Sequence, residues 1–153
     1  MRLYLVQHGI SKSKLEDPER PLTETGIQQT ELIASYLKNH KIKLDKIYHS
    51  EKRRAAQTAE IIAGKIDIKY GLVEDKDLNP LTKPEIWSEK IKTIDDDIMI
   101  IGHLPHLNNL TSLLLGYDEN LQFIFFKNSG VICMDREDDS WSLKWLITPD
   151  LIV

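Results

Sequence analysis

The sequence contains very little cysteine, and this scarcity excludes a fold held together by internal disulfides. Cys133 is the single cysteine among 153 residues, so no pair exists within the chain. It lies in the apolar stretch 130–134. In such a stretch we expect it to act as a small buried hydrophobic residue, not as a reactive thiol.

Long hydrophobic runs are also absent. No stretch approaches the roughly 18 consecutive apolar residues that a membrane-spanning helix needs. The few residues before His8 do not form the pattern of a signal peptide. We therefore expect a cytoplasmic protein that has no membrane partner.

No excess of positive charge is present, because the formal net charge is −4. This balance argues against broad adhesion to nucleic acid or to anionic membranes, so any anion site must be local. Hydrophobic residues make up 41% and charged residues 29%, which is typical of soluble globular proteins. The length fits one domain over residues 1–153, without a linker or an internal repeat.

The order of apolar segments predicts an α/β fold. Strands alternate with helices in the first 115 residues, which favours right-handed crossovers and a mostly parallel central sheet with helices on both faces. We predict these early strands at 2–7, 45–49, 66–70 and 97–101. The helices between and after them are predicted from the Thr23 cap to about Lys41, from a Ser50 cap, over 83–93, and from Pro105 to Gly116. Three late strands, at 123–126, 130–135 and 141–147, are expected to add antiparallel pairs at an edge.

Two of these strands run directly into a histidine, His8 after the first strand and His103 after the strand at 97–101. In an open α/β sheet, ligands bind beyond the carboxyl ends of the strands. An imidazole with an ordinary pKa near ~6.5 is largely neutral at pH 7, and a neutral ring nitrogen can attack phosphorus. The alternative is that His8 simply closes the end of its strand.

A third segment supplies positive charge beside the histidines. Arg54 lies in the first turns of the second helix, and its planar guanidinium matches paired phosphoryl oxygens. Arg53 precedes it, and adjacent helical positions do not share a face. Because Arg54 is four residues before Thr58, we expect it to point inward and Arg53 to be solvated. Arg20, at the end of the polar loop 11–20, is expected to close over the pocket.

His103 precedes a helix start, whose free N–H groups favour a bound anion. Metal binding through His103 and His106 is the rival interpretation. Their spacing alone is poor evidence without a nearby cysteine or a set of carboxylates. We expect neither a metal nor any other cofactor.

Taken together, four segments resemble the histidine phosphatase superfamily, and within it the small SixA-type phosphohistidine phosphatases. The segments are 7–9, 20–23 with Gly26, 50–58 and 102–105, and the resemblance spans nearly the whole chain. It implies the phosphoglycerate mutase-like fold, with His8 as the phosphorylated nucleophile. It also implies that Arg54 and His103 bind the phosphoryl oxygens.

The sequence departs from the family pattern at two places. Gln7 stands where the motif usually has arginine, so this position retains a hydrogen-bond donor but not its charge. Ile10-Ser11 replaces the usual acidic and small residues. By its place before 78–80, Asp77 resembles the carboxylate that protonates the leaving group in relatives, and Glu74 is the neighbouring choice. Either carboxylate could equally be a solvated loop charge.

The expected activity is removal of phosphate from a phosphohistidine-bearing signalling or phosphotransfer protein, through phospho-His8. On this hypothesis the phosphate is bound by Gln7, Arg54, His103 and Arg20. Asp77 is the candidate acid. Two other functions remain open: a phosphatase for small phosphomonoesters, and a catalytically weakened module that only binds phosphate. The sequence leaves the oligomeric state open.

Overall fold

A computed structural model describes residues 1–118, 121–122 and 124–152. The main sheet has six strands in the order β5-β3-β6-β1-β7-β8, and a small second sheet pairs β2 with β4. The strands are β1 (Arg2–Gln7), β2 (Lys43–Leu44), β3 (Lys46–His49), β4 (Asp67–Ile68), β5 (Leu72–Glu74), β6 (Ile98–Gly102), β7 (Val131–Glu137) and β8 (Ser140–Ile147). The α-helices are α1 (Glu24–Asn39), α2 (Arg53–Ala63), α3 (Pro84–Lys92) and α4 (His106–Leu114).

The sheet is parallel at its centre and antiparallel at one edge. Strand β6 lies between β1 and β3 and is parallel to both. Strands β7 and β8 extend the sheet beyond β1 as antiparallel neighbours. The predicted α/β fold, with a parallel centre of the sheet and antiparallel strands near the C-terminus, is therefore confirmed.

The alternation of side chains along β1 explains why both faces of the sheet are covered. Tyr4 and Val6 lie in a core shared with α1 and α2, whereas Leu3 and Leu5 lie in a second core shared with α3 and α4. All five residues of β6 are buried. Continuous burial of this kind is expected for a central parallel strand covered on both faces.

The structure corrects several predicted elements. Residues 124–126 are not a strand: Ile124 and Phe126 are buried in the second core, and Phe123 lies outside the described residues. The strand predicted at 66–70 is reduced to the two residues of β4. Ser50 does not cap α2, because the N-cap residue is Lys52, with no side-chain cap bond. The edge strand β5 was not predicted at all.

The predicted cap of α1 is present, since Gly26 N donates to Thr23 Oγ1 at 3.0 Å. This helix start also approaches the chain that follows β1 very closely. A Cβ on Gly26 would lie 2.1 Å from the Ile10 carbonyl oxygen. The glycine therefore allows α1 to pack directly against the beginning of the loop 11–20. Within the described residues, no helix has both the length and the apolar character needed to cross a bilayer.

Candidate active site

Backbone register brings three polar residues together at the carboxyl edge of the sheet. Gln7 is paired with Gly102 in the β1–β6 ladder, and His8 N donates to the Gly102 carbonyl at 3.1 Å. On the other side of β6, Ser50 N donates to the Ile101 carbonyl at 3.1 Å. His8, Ser50 and His103 therefore follow three adjacent strands and lie beside one another.

The His8 ring is held in one tautomer. Its Nδ1 lies 2.7 Å from the Gly9 carbonyl oxygen. A carbonyl oxygen only accepts, so Nδ1 carries the proton and Nε2 retains its lone pair. The pKa of His8 is lowered to about 4, mainly by burial and also by the positive charges of Arg54 and Arg20, against a smaller opposing effect of the Gly9 bond. His8 is thus neutral at pH 7, with Nε2 available for attack.

Arg54 is the inward member of the arginine pair. Its Nε donates to His8 Nε2 at 3.3 Å, and the residue is only 9% exposed. Thr58, one turn later, bonds the Arg54 carbonyl at 2.7 Å and accepts from Gly9 N at 3.0 Å. This contact fixes the face of α2 that meets the end of β1. Arg53 is exposed and forms an ion pair with Glu19 at 3.2 Å.

His103 faces His8 from the neighbouring strand. The two ring centroids are 4.9 Å apart, with the rings inclined by 56°. His103 Nε2 lies 2.8 Å from Ser50 Oγ. The pKa of His103 is lowered to about 3, mainly by burial and also by His8 and Arg54. His103 therefore acts as a neutral ring at pH 7.

In front of Arg54 lies an open cleft of about 690 Å³. Arg20 lies on its loop side, with a left-handed backbone (φ 51°) and with Nε donating to the Lys12 carbonyl at 3.2 Å. Positive side chains outnumber carboxylates in the lining, which consists of Lys14, Pro18, Glu19, Arg20, Glu51, Lys52, Arg53, Arg54 and Glu74. A chain that is negative overall therefore presents a locally positive cleft.

The two candidate proton donors are placed differently. Among the described residues that line the cleft, Glu74 is present and Asp77 is not. The Asp77 carboxylate accepts from Lys90 Nζ at 2.9 Å, and this bond lowers the pKa of Asp77. The same ammonium also bonds Asp75 at 2.7 Å. The structure thus ties Asp77 to α3 as an ionised carboxylate, which is a poor proton donor.

Gln7 lies on a different side of His8 from the cleft. It lines a second crevice together with Leu104 and Asn128. Its Oε1 is buried and has no hydrogen-bond partner within the described part of the chain. The structure therefore does not place Gln7 in the cleft that Arg54 and Arg20 line.

Sequence reasoning overlooked several residues that support the site. Asn128 Nδ2 donates to the His8 carbonyl at 2.8 Å, and Ser129 N donates to the Gln7 carbonyl at 2.9 Å. Ser129 Oγ is in turn 2.8 Å from Thr30 Oγ1. In the sequence, residues 128–130 have only the composition of a turn between two predicted strands. Nothing in that composition indicates that Asn128 contacts His8 or that Ser129 contacts Gln7 and Thr30, which lie far away in the chain.

No cluster of three or more potential metal ligands occurs among the residues that the structure describes. His106, the partner in the rival metal interpretation, is buried at the start of α4. Neither of its ring nitrogens has a hydrogen-bond partner there.

Fold and site together define an α/β protein with two neighbouring buried histidines and a buried arginine at the carboxyl edge of its sheet, beside a locally positive cleft. The chain belongs to the histidine phosphatase superfamily (branch 1), whose sequence model matches residues 3–80. The predicted family is therefore confirmed.

Two curated relatives match most of the chain. The chain is 28% identical to an uncharacterised protein of Picosynechococcus, covering 86% of this chain and 83% of that protein. It is 24% identical to the phosphohistidine phosphatase SixA of Escherichia coli, covering 74% of each chain.

Solved structures share the phosphoglycerate mutase-like fold that the resemblance implies. The structure of the protein histidine phosphatase SixA complexed with tungstate matches with a TM-score of 0.88, at 21% identity and 100% coverage of both chains. A phosphoserine phosphatase mutant of Entamoeba histolytica in complex with phosphoserine matches with a TM-score of 0.77, at 16% identity and 99% coverage of both. The SixA-type resemblance is confirmed, and the range of relatives leaves the substrate to be inferred from the site.

Proposed function

We propose that this protein is a phosphohistidine phosphatase that acts through a phosphorylated His8. The observation that carries the proposal is the hydrogen bond from His8 Nδ1 to the Gly9 carbonyl. It leaves the Nε2 lone pair unprotonated and directed toward Arg54. A neutral imidazole with its free nitrogen beside a guanidinium is suited to in-line attack on a phosphoryl group.

The reaction has two steps. His8 Nε2 attacks phosphorus, a new N–P bond forms, and the P–N bond of the substrate breaks, so that its electron pair returns to the substrate imidazole. Water then attacks phospho-His8, the His8 N–P bond breaks, and inorganic phosphate leaves. Neither step requires a redox change or a cofactor.

The main task of the protein is to stabilise charge on the phosphoryl oxygens. The contact of Arg54 with His8 supports this role for Arg54, and the position of Arg20 in the cleft lining supports it for Arg20. His103 supplies a further donor from the adjacent strand. Gln7 is the weakest of the proposed phosphate ligands, because its side chain lines the other crevice.

The leaving group distinguishes the possible substrates. An alkyl phosphate needs a proton on its departing oxygen, whereas the imidazole of phosphohistidine can already carry one. The ion pair between Asp77 and Lys90 makes Asp77 unsuited to donate a proton. This favours a phosphohistidine substrate, and the open cleft suits a residue presented on a protein surface.

One observation favours a second function, hydrolysis of small phosphomonoesters. Glu74 lines the cleft together with Arg20 and Arg54, and the other two carboxylates of the lining, Glu19 and Glu51, are bonded to Arg53 and Asn79. Proton donation by Glu74 to the departing alkoxide oxygen would supply the step that Asp77 does not. A relative of similar fold was solved in complex with phosphoserine.

Comparing kcat/KM on a phosphohistidine-bearing phosphotransfer protein with kcat/KM on phosphoserine, an alkyl phosphate, separates the two functions. We expect the phosphohistidine protein to be the better substrate, and Glu74→Gln to leave its turnover unchanged. Comparable activity on both substrates, with a loss on the ester alone in Glu74→Gln, would favour the second function.

Arg54 and Arg53 offer a matched pair for the proposed site. Arg54→Ala should lower kcat by about a hundredfold to a thousandfold, as expected for a lost oxyanion donor. Arg53→Ala removes the same charge from a neighbouring exposed position and should change kcat little. Equal losses in the two variants would show that only the general positive potential of the cleft matters.

A further inference from the structure

A chain of hydrogen bonds leads from the cleft rim to His103. Asn79 Nδ2 donates to Glu51 Oε1 at 2.8 Å. Ser50 Oγ donates to Asn79 Oδ1 at 2.7 Å. His103 Nε2 lies 2.8 Å from Ser50 Oγ. We call these four residues the relay: Glu51, Asn79, Ser50 and His103.

The chemistry of the partners determines the direction of each bond. A carboxylate only accepts, so the amide nitrogen of Asn79 faces Glu51 and its oxygen faces Ser50. That amide oxygen also only accepts, so the single hydroxyl proton of Ser50 is donated to Asn79. Ser50 therefore has no proton left for His103.

It follows that His103 must be the donor to Ser50, with its proton on Nε2. The second lone pair of Ser50 Oγ accepts from Lys52 N at 3.3 Å, so the hydroxyl is fully used. His103 Nδ1 is buried without a hydrogen-bond partner among the described residues. Nothing on the Nδ1 side therefore competes with the relay for the position of the proton.

We propose that Asn79 and Glu51 are positioning residues that fix the proton of His103 on Nε2 and so prepare this ring to donate to a phosphoryl oxygen. A neutral imidazole has only one N–H group, and its position decides whether the ring can donate at a given place. An anionic phosphoryl oxygen is a stronger acceptor than the neutral Ser50 hydroxyl and takes over or shares this donor. The inference rests on the proposed function, because it assumes that a phosphoryl group binds at His8.

The relay connects two segments that are separate in the sequence. Ser50 and Glu51 follow β3, whereas Asn79 follows the short 3₁₀ helix Lys76–Leu78. The loop that carries Asp77 is thus connected to the site through Asn79. This segment then contributes to the reaction by orienting His103, although the Asp77 carboxylate itself is bonded to Lys90.

The test combines ¹⁵N NMR of histidine-labelled protein with kinetics on phosphoramidate. In the native protein, His103 Nε2 should have the shift of a protonated nitrogen. Asn79→Ala frees the Ser50 proton for donation to His103, so the ring proton should move to Nδ1. We expect kcat to fall about tenfold to a hundredfold, less than for the loss of a complete donor, with a smaller change in KM.

The exchange variant Glu51→Gln/Asn79→Asp is the conservative one, because the carboxylate at 79 still accepts from Ser50 and the amide at 51 donates to that carboxylate. It should keep the Nε2 proton and most of the turnover. Ser50→Ala removes the acceptor of His103 directly and should release the ring proton even if Asn79→Ala does not fold. Asn39→Ala, an exposed substitution at the end of α1, controls for the general effect of losing an asparagine.

Retention of the Nε2 proton in both Asn79→Ala and Ser50→Ala would overturn the relay, as would an equal loss of kcat in the exchange variant and in Asn79→Ala. The proton measurement needs no turnover. A native protein with protonated Nε2 and no activity would therefore contradict the proposed function alone. An active native protein with the proton on Nδ1 would contradict the relay alone.

Discussion

At the scale of single residues, the protonation state of His8 is central. Most imidazoles titrate near pH 6.5 and are partly cationic in neutral solution. In this protein burial first, and then Arg54 and Arg20, oppose a positive charge on His8. The nucleophile is thus kept neutral by the same cations that attract the phosphoryl group.

This environment predicts an unusual pH dependence. Protonation removes the Nε2 lone pair, so kcat/KM should remain level from pH 7 to about pH 5 and fall as the pH approaches the His8 pKa of about 4. The acidic limb should be measured after correction for ionisation of the substrate. The ring resonances of His8 in ligand-free protein should titrate over the same range. A midpoint near 6.5 in both measurements would contradict the assigned environment.

Residue patterns indicated the two histidines and Arg54 but not their supporting partners. His8 and His103 follow apolar runs, and the end of such a run predicts the end of a strand. Asn79 and Asn128 lie in loops far from His8 in sequence, and only the folded chain brings them to the site. Asp77 was selected by resemblance, and its pairing with Lys90 on α3 is likewise a tertiary contact.

At the scale of elements, predictions succeeded where local pattern and burial agree. Strands β1 and β6 are continuous apolar runs, and both are covered on two faces. Strand β5 has three residues, all exposed, and it is defined by pairing with β3. The aromatic run around 124–126 has high β-propensity, but burial of Ile124 and Phe126 in the core prevails over that propensity.

The contact between α1 and the chain after β1 gives a prediction for an element boundary. The Ile10 carbonyl oxygen is held by Thr23 N at 2.9 Å and cannot move away from a new Cβ on Gly26. Gly26→Ala should therefore lower the free energy of unfolding by about 1–3 kcal/mol. It should also lower turnover, because the loop that carries Arg20 begins here.

Gly64→Ala is the matched control for this substitution. Gly64 follows α2 with φ −70°, and the nearest atom to an added Cβ is 3.5 Å away. This change should stabilise the protein by about 0.4–1 kcal/mol. Urea denaturation of the two variants measures both effects. Similar unfolding free energies for the two would contradict the close approach at Gly26.

At the scale of the whole molecule, three buried histidines connect stability to pH. The pKa values of His8 and His106 are lowered to about 4, and that of His103 to about 3, in each case mainly by burial. Between the ordinary value and these values the unfolded chain binds more protons than the folded one. Stability therefore falls as the pH is lowered from about 6.5 toward 4.

His106 allows this effect to be separated from the chemistry. Among the described residues it has no hydrogen-bond partner, so His106→Leu breaks no bond and removes a buried polar ring. At pH 7 we expect the free energy of unfolding to stay equal or to rise by about 1 kcal/mol. Between pH 6.5 and 4 the variant should lose less stability than the native protein, by up to about 1.4 kcal/mol per pH unit. If the free energy of unfolding fell equally with pH in the variant and in the native protein, a neutral, buried His106 would be contradicted.

The most direct test of the account is to trap the covalent intermediate. The protein is mixed with phosphoramidate, quenched within the first turnovers, and analysed for acid-labile phosphate by peptide mapping under alkaline conditions. We predict phosphate on His8 in the native protein and no label, together with loss of turnover, in His8→Ala. Absence of the label in a native protein that turns over, with unchanged turnover in His8→Ala, would contradict the assignment of His8 as the nucleophile.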